Sequence, residues 1–195
     1  MLFELIYIFG CYYINFRMFK LLILDVDGVM TTGQKFYDLE GNAIAKTFND
    51  RDFTAIKQFI CSGVDVIFLS GDEQVNRSVA KNRCIPFFYS RRKNGKLSKA
   101  QCAKEILDKY QVKKEEVIFV GDDLFDIEMK DFVDFMACPK NSHYEMKEAS
   151  NLILETTSGN GCIQELYEYF IINNLISKVS IEKVINRDSS ESVIY

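Results

Sequence analysis

The stretch LLILDVDGVM, residues 21–30, decides the fold. Four apolar residues, Leu21 to Leu24, run straight into Asp25; a second acid follows at Asp27, with Gly28 behind it. A short apolar run bounded by turn chemistry reads as a strand buried on both faces, as in a parallel sheet. In open parallel sheets ligands bind beyond the carboxyl ends of the strands, which is where Asp25 and Asp27 stand. The strand period of two sends both side chains to one side, and Gly28 allows a close backbone turn around whatever binds. Two such carboxylates repel unless a cation lies between them.

Outward from this strand, short apolar runs alternate with amphipathic stretches. Residues 64–69, 86–89, 117–120, 135–137 and 152–154 read as five more strands, so the expected fold class is α/β: a Rossmann-like parallel sheet with helices on both faces. FTAIKQFICSG carries Phe53, Ile56, Phe59 and Ile60 at helical spacing and stops at Gly63. SKAQCAKEILDKYQV opens on a capping serine, Ser98, and aligns Cys102, Ile106 and Tyr110. Residues 31–50 have no helical face. Their DLEGN centre is turn chemistry, predicting a β-hairpin flap after the first strand. The expected division is an N-terminal extension, 1–17, with Met18 an alternative initiator; a catalytic domain, 18–172; and a polar tail, 173–195, expected to fray.

The 195 residues, 48% hydrophobic, suffice for one sizeable core. A net charge of −4 with dispersed lysines and arginines offers no footprint for nucleic acid. The longest uncharged N-terminal run, residues 5–16, is 12 residues, whereas a membrane span needs roughly 20, so no membrane partner is expected. Cys11, Cys61, Cys84, Cys102, Cys138 and Cys162 form no CxxC pair and read as buried apolar residues of a cytoplasmic protein. His143 is the lone histidine and reads as a helix-start surface residue.

The other strand ends carry more chemistry. FLSG places Ser70 and Gly71 at the same edge, and FVGDDLFD places Gly121, Asp122, Asp123 and Asp126 there. Alone, Ser70 could cap a helix, and Asp122 and Asp123 could favour a helix N-terminus. Together five carboxylates exceed what capping needs and suit a hard cation such as Mg2+, which takes two or three of them and keeps its waters. A cation ringed by acids fits phosphoryl chemistry, in which a basic side chain shares the charge. Lys96 and Lys99 are the candidates, Lys99 lying in a first helical turn that favours anions.

These residues resemble the haloacid dehalogenase-like superfamily: DVDGV looks like its first motif, LSG its second, Lys99 its third and GDDLFD its fourth. The nearest likeness is to the small capless phosphatases of 3-deoxy-D-manno-octulosonate 8-phosphate and nonulosonate 9-phosphates, carried by DVDGVMTTG, GNAIAKTFNDRD and SGNGCIQE. In that group the matching lysine is Lys99, 23 positions before Asp122. The resemblance implies a magnesium-dependent phosphatase with Asp25 as nucleophile and Asp27 as general acid and base, while Ser70 and Lys99 hold the phosphoryl oxygens. It implies metal ligation by Asp25, the Asp27 carbonyl and Asp122, with Asp123 and Asp126 behind. It also implies substrate contacts at Gly28, Gly33, Asn49, Arg51, Asp52 and Gly71, a sugar phosphate as substrate, and a homotetramer assembled through the flaps.

Two departures bear on the substrate. Asp72 stands where relatives carry an arginine in SGR, and Gln164 replaces another arginine. A less anionic sugar phosphate, or compensation by Arg77, Arg91 or Arg92, would account for them. A non-catalytic binding module on the same fold is the contrasting class, and the presence of Asp25, Asp27, Ser70, Lys99 and Asp122 together argues against it.

Overall fold

The structure, a computed structural model, describes residues 5–8, 11–14, 19–91 and 98–190. β1 (Leu5–Ile8) pairs antiparallel with β2 (Cys11–Ile14). The LLIL run forms β3 (Leu21–Leu24), buried at every residue. It is flanked in parallel by β6 (Asp65–Ser70) and β8 (Val117–Val120), Leu21 aligning with Asp65 and with Val117. With β7 (Phe87–Tyr89), β9 (Phe135–Cys138) and β10 (Leu152–Ile153), the order is β10-β9-β8-β3-β6-β7, every pair parallel.

Alternation along the strands divides the core between two helical layers. Leu22, Leu24, Val66, Phe68, Ile118 and Val120 pack with Phe53, Ile56 and Phe59 of α1 (Asp50–Cys61), Leu166 and Phe170 of α5 (Cys162–Ile172), and Ala80 of α2 (Gln74–Asn82). Leu21, Ile23, Ile67, Leu69, Val117 and Phe119 face Cys102, Ala103 and Ile106 of α3 (Lys99–Tyr110), Met146 of α4 (Tyr144–Ala149), and Met129 of a 3-10 segment, Leu124–Asp131.

Between β3 and α1 the chain makes a short β-hairpin. β4 (Phe36–Tyr37) pairs antiparallel with β5 (Ala43–Ala45). The turn closes because Asp38 Oδ1 accepts the N–H groups of Glu40 and Asn42 at 3.0 and 2.8 Å. The C-terminal segment differs from expectation: it carries α6 (Ile181–Ser190), which packs on α1 through the Lys57–Asp188 ion pair and a Lys183 bond to the Cys61 carbonyl. Among the described residues no helix is long and apolar enough to cross a membrane.

Candidate active site

The carboxyl ends of β3, β6 and β8 converge on a cleft of about 420 Å3. Asp25 leaves β3 buried, its backbone N–H bonded to the Val120 carbonyl of β8 at 2.9 Å. Two glycines let the acids pack. A Cβ on Gly28, whose φ is +92°, would stand 2.0 Å from Asp122 Oδ2, and one on Gly121 would stand 2.6 Å from the Asp126 side chain.

The first residue of α3 supplies the cation: Lys99 Nζ lies 2.6 Å from Asp25 Oδ1 and also bonds Asp126 Oδ1. Asp126 Oδ2 in turn accepts the N–H groups of Asp122 and Asp123 at 2.8 and 3.0 Å. Carboxylate oxygens of Asp25, Asp122 and Asp126 come within 4.8 Å of one another. Burial pushes Asp25 up to about 7, with Lys99 pulling against it. Burial, and then the charges of Asp25 and Asp126, push Asp122 up to about 8. Burial works against the Lys99 ammonium, but Asp25 and Asp126 overcome it and hold the amine charged. Three acids facing one lysine leave an excess of negative charge that a divalent cation relieves. An all-oxygen donor set suits a hard ion.

The Asp27 side chain lies outside that group. Lys46 Nζ stands 2.7 Å from its Oδ1, and Asn76 Nδ2 donates to its Oδ2 at 3.0 Å. Lys35 approaches it at 3.7 Å. Asp72 does not face the cleft as an isolated acid, because its Oδ2 accepts from Lys35 at 2.8 Å and Lys46 at 2.9 Å. Burial pushes the Asp72 carboxyl up, but these two lysines outweigh burial and hold it below the ordinary carboxylate range. Lys35, Lys46 and Asn76 escaped the sequence reading. Two lysines on the arms of a short hairpin and one asparagine in an amphipathic helix carry no motif spacing, and only the folded flap brings them together.

Ser70, Gly71, Lys99, Asp122, Asp123 and Asp126 line the cleft with Asp25 and Asp27. Gly28 underlies it, and Gly33 packs behind, its N–H on Thr31 Oγ at 3.2 Å. Asp123 is exposed and caps its own 3-10 segment through the Leu124 N–H. The expected substrate contacts after the flap are not brought to the cleft. Asn49 caps α1, accepting the Arg51 N–H at 3.0 Å, and Arg51 is exposed on that first turn. Asp52 is buried against α5, accepting the N–H groups of Gly161, Ile163 and Gln164 at 3.2, 2.8 and 3.3 Å. Gln164 bonds Glu168, and Arg77 pairs with Glu73 beside the Phe87 ring. Arg91 lines the cleft, while Arg92 and Lys96 lie outside the described residues. His143 occupies the N-cap of α4, as expected, and its N–H holds the Asp122 carbonyl at 2.8 Å.

A family model for haloacid dehalogenase-like hydrolases matches residues 91–166. The 3-deoxy-D-manno-octulosonate 8-phosphate phosphatase of Haemophilus influenzae is 31% identical over 158 residues, 78% of this chain and 82% of that protein. The cobalt-bound structure of the deoxy-D-mannose-octulosonate 8-phosphate phosphatase from the same organism superposes with a TM-score of 0.72 at 30% identity, covering 80% of this chain and 90% of that one. The Moraxella catarrhalis 3-deoxy-D-manno-octulosonate 8-phosphate phosphatase, in complex with a magnesium ion, a phosphate ion and the sugar acid, superposes with a TM-score of 0.71 at 25% identity over 80% and 89% of the two chains.

Proposed function

The chain belongs to the haloacid dehalogenase-like hydrolases and is a phosphatase, and from that premise we propose that it hydrolyses a phosphorylated sugar acid, 3-deoxy-D-manno-octulosonate 8-phosphate or a nonulosonate 9-phosphate, with magnesium. The observation that carries the reading is the buried contact of Lys99 with Asp25 and Asp126 beside Asp122, at the strand edge where a phosphoryl group would sit.

In this mechanism an Asp25 carboxylate oxygen bonds to phosphorus as the ester P–O bond breaks, giving an aspartyl-phosphate. The departing electron pair goes to the sugar oxygen, which takes a proton from Asp27. In the second half, a water oxygen bonds phosphorus, its proton returns to Asp27, and Asp25 leaves with its electron pair. Ser70 and Lys99 hold the phosphoryl oxygens as charge develops. Asp25, Asp122 and the Asp27 carbonyl would hold the magnesium, which offsets phosphoryl charge when bound. Asp126, whose oxygens already serve Lys99 and two backbone N–H groups, orients this set rather than ligating, and Asp123 stands behind it.

The sugar-acid assignment is supported by the relatives' substrates across about four-fifths of the chain. The pairing of Gln164 with Glu168 offers no cation to a substrate carboxylate, and it favours as a second reading another, less anionic sugar phosphate. In the assembly we propose, four copies join through the flap, whose Phe36, Tyr37, Leu39 and Ile44 are exposed.

Phosphate release from octulosonate 8-phosphate, nonulosonate 9-phosphates and hexose phosphates, with and without magnesium, tests the function. Magnesium-dependent turnover fastest on a sugar acid is expected, and a preference for hexose phosphates would favour the second reading. Asp25→Asn should lower turnover by about 10⁴-fold or more; retained turnover would remove Asp25 as nucleophile.

A further inference from the structure

We propose that Lys46 and Asn76 are a buried pair of positioning residues that orients Asp27 for proton transfer and commits the Ser70 hydroxyl to donating to the phosphoryl group. The proposal rests on the acid–base role assigned to Asp27 above.

The argument starts from what each group can do. A lysine ammonium only donates, so the end of the Asn76 amide that faces Lys46 Nζ, at 2.8 Å, is Oδ1. The amide nitrogen is thereby turned the other way, where its two hydrogens serve Asp27 Oδ2 and Ser70 Oγ, each at 3.0 Å. Asn76 is fully buried and the Lys46 side chain is 0% exposed, so water does not compete for these bonds.

A serine hydroxyl has one donor and two acceptor lone pairs. Ser70 Oγ accepts from Asn76 and from the Asp72 N–H at 3.1 Å. Both lone pairs are then in use, leaving the O–H to be given to a ligand in the cleft that Ser70 lines. A phosphoryl oxygen, which only accepts, is the matching group. The same pair grips both Asp27 oxygens, Lys46 at Oδ1 and Asn76 at Oδ2. Swinging Asp27 toward Asp25 and Asp122 would break both contacts, so the carboxylate stays out of the cation's ligand set. Since a carboxylate offers about four lone-pair sites, room for the travelling proton remains. When the ester P–O bond breaks, its electron pair collects on the sugar oxygen and that oxygen receives the Asp27 proton; the pair's contribution is to hold the donor in place.

Turnover of a simple alkyl phosphate, whose alkoxide needs protonation to leave, is to be compared with that of p-nitrophenyl phosphate, whose phenolate leaves unaided. Asp27→Asn, Asn76→Ala and Lys46→Met should each lower the alkyl-to-aryl rate ratio by about tenfold or more, a part of the roughly 10²- to 10⁴-fold that a placed proton donor supplies. Lys46→Arg, which keeps a donor toward Asn76, should restore most of it. The ratio does not depend on the fraction of enzyme folded, and a merely structural role would lower both rates together. If Asp27→Asn collapses the ratio while Asn76→Ala and Lys46→Met leave it unchanged, the positioning pair is overturned and the acid role stands. If Asp27→Asn itself leaves the ratio unchanged, the acid role falls and the pair falls with it.

Discussion

Asp25 and Asp122 carry opposite demands in one place. Each must be ionised to hold a cation, yet burial raises them to about 7 and about 8 from an ordinary 3.8. Because the folded values exceed the unfolded ones, the folded protein binds more protons than the unfolded chain between about pH 4 and pH 8. Metal-free protein should therefore lose stability as pH rises through that window. On the proposed assignment, a divalent cation that binds the deprotonated acids should reverse the loss. Thermal melts in chelator and in magnesium should show a Tm gain that grows from pH 6 to pH 8; an equal gain at both would dissociate these acids from the metal. At this scale the acids, Ser70 and Lys99 were legible because each sits at a strand or helix end that the pattern located. Lys46 and Asn76 were not, since their meaning depends on which acceptor each faces, and that is decided by the packing of the flap over α2.

At the scale of elements, Asp52 joins α1 to α5. Its buried carboxylate takes three N–H groups at a helix start that has no side-chain cap of its own. Asp52→Ala should cost about 1–3 kcal/mol, read as a shifted urea midpoint, with KM for the sugar phosphate unchanged. A raised KM at unchanged stability would return Asp52 to the substrate. FNDRD could be read either way from its residues, because a carboxylate that caps a distant helix and one that meets a ligand look alike in sequence. The six strands were legible for a simpler reason: a parallel strand covered on both faces must be apolar throughout, and few other local arrangements use so short a run. α6 was not legible, because its short, polar sequence is held by contacts to α1 that are more than a hundred residues away along the chain.

For the whole molecule, the open cleft and the apolar flap belong to one question. Leu39, at 108% exposure, and its neighbours Phe36, Tyr37 and Ile44 place more apolar surface on one hairpin than a solitary flap requires. Sedimentation velocity is expected to give a tetramer, and Leu39→Asp with Phe36→Ser should dissociate it and lower kcat/KM, leaving the monomer folded. A wild-type monomer at assay concentrations would separate the flap from assembly. A hairpin was legible from the missing helical face of residues 31–50, but what it packs against within its own chain emerged only on folding.

By itself the sequence determined the strand order's raw material, the two-sided core and the acids at the strand ends, because periodicity and position along a strand are local properties that each residue carries with it. Only the tertiary structure decided which acids come within reach of one another, which glycine allows Asp122 to approach Asp25, and how Lys46 turns Asn76 and thereby Ser70. Those outcomes depend on distances between segments that are mostly far apart along the chain, 30 residues for Lys46 and Asn76 and 49 for Asn76 and Asp27, and on the hydrogen-bond polarity that burial enforces once water is gone.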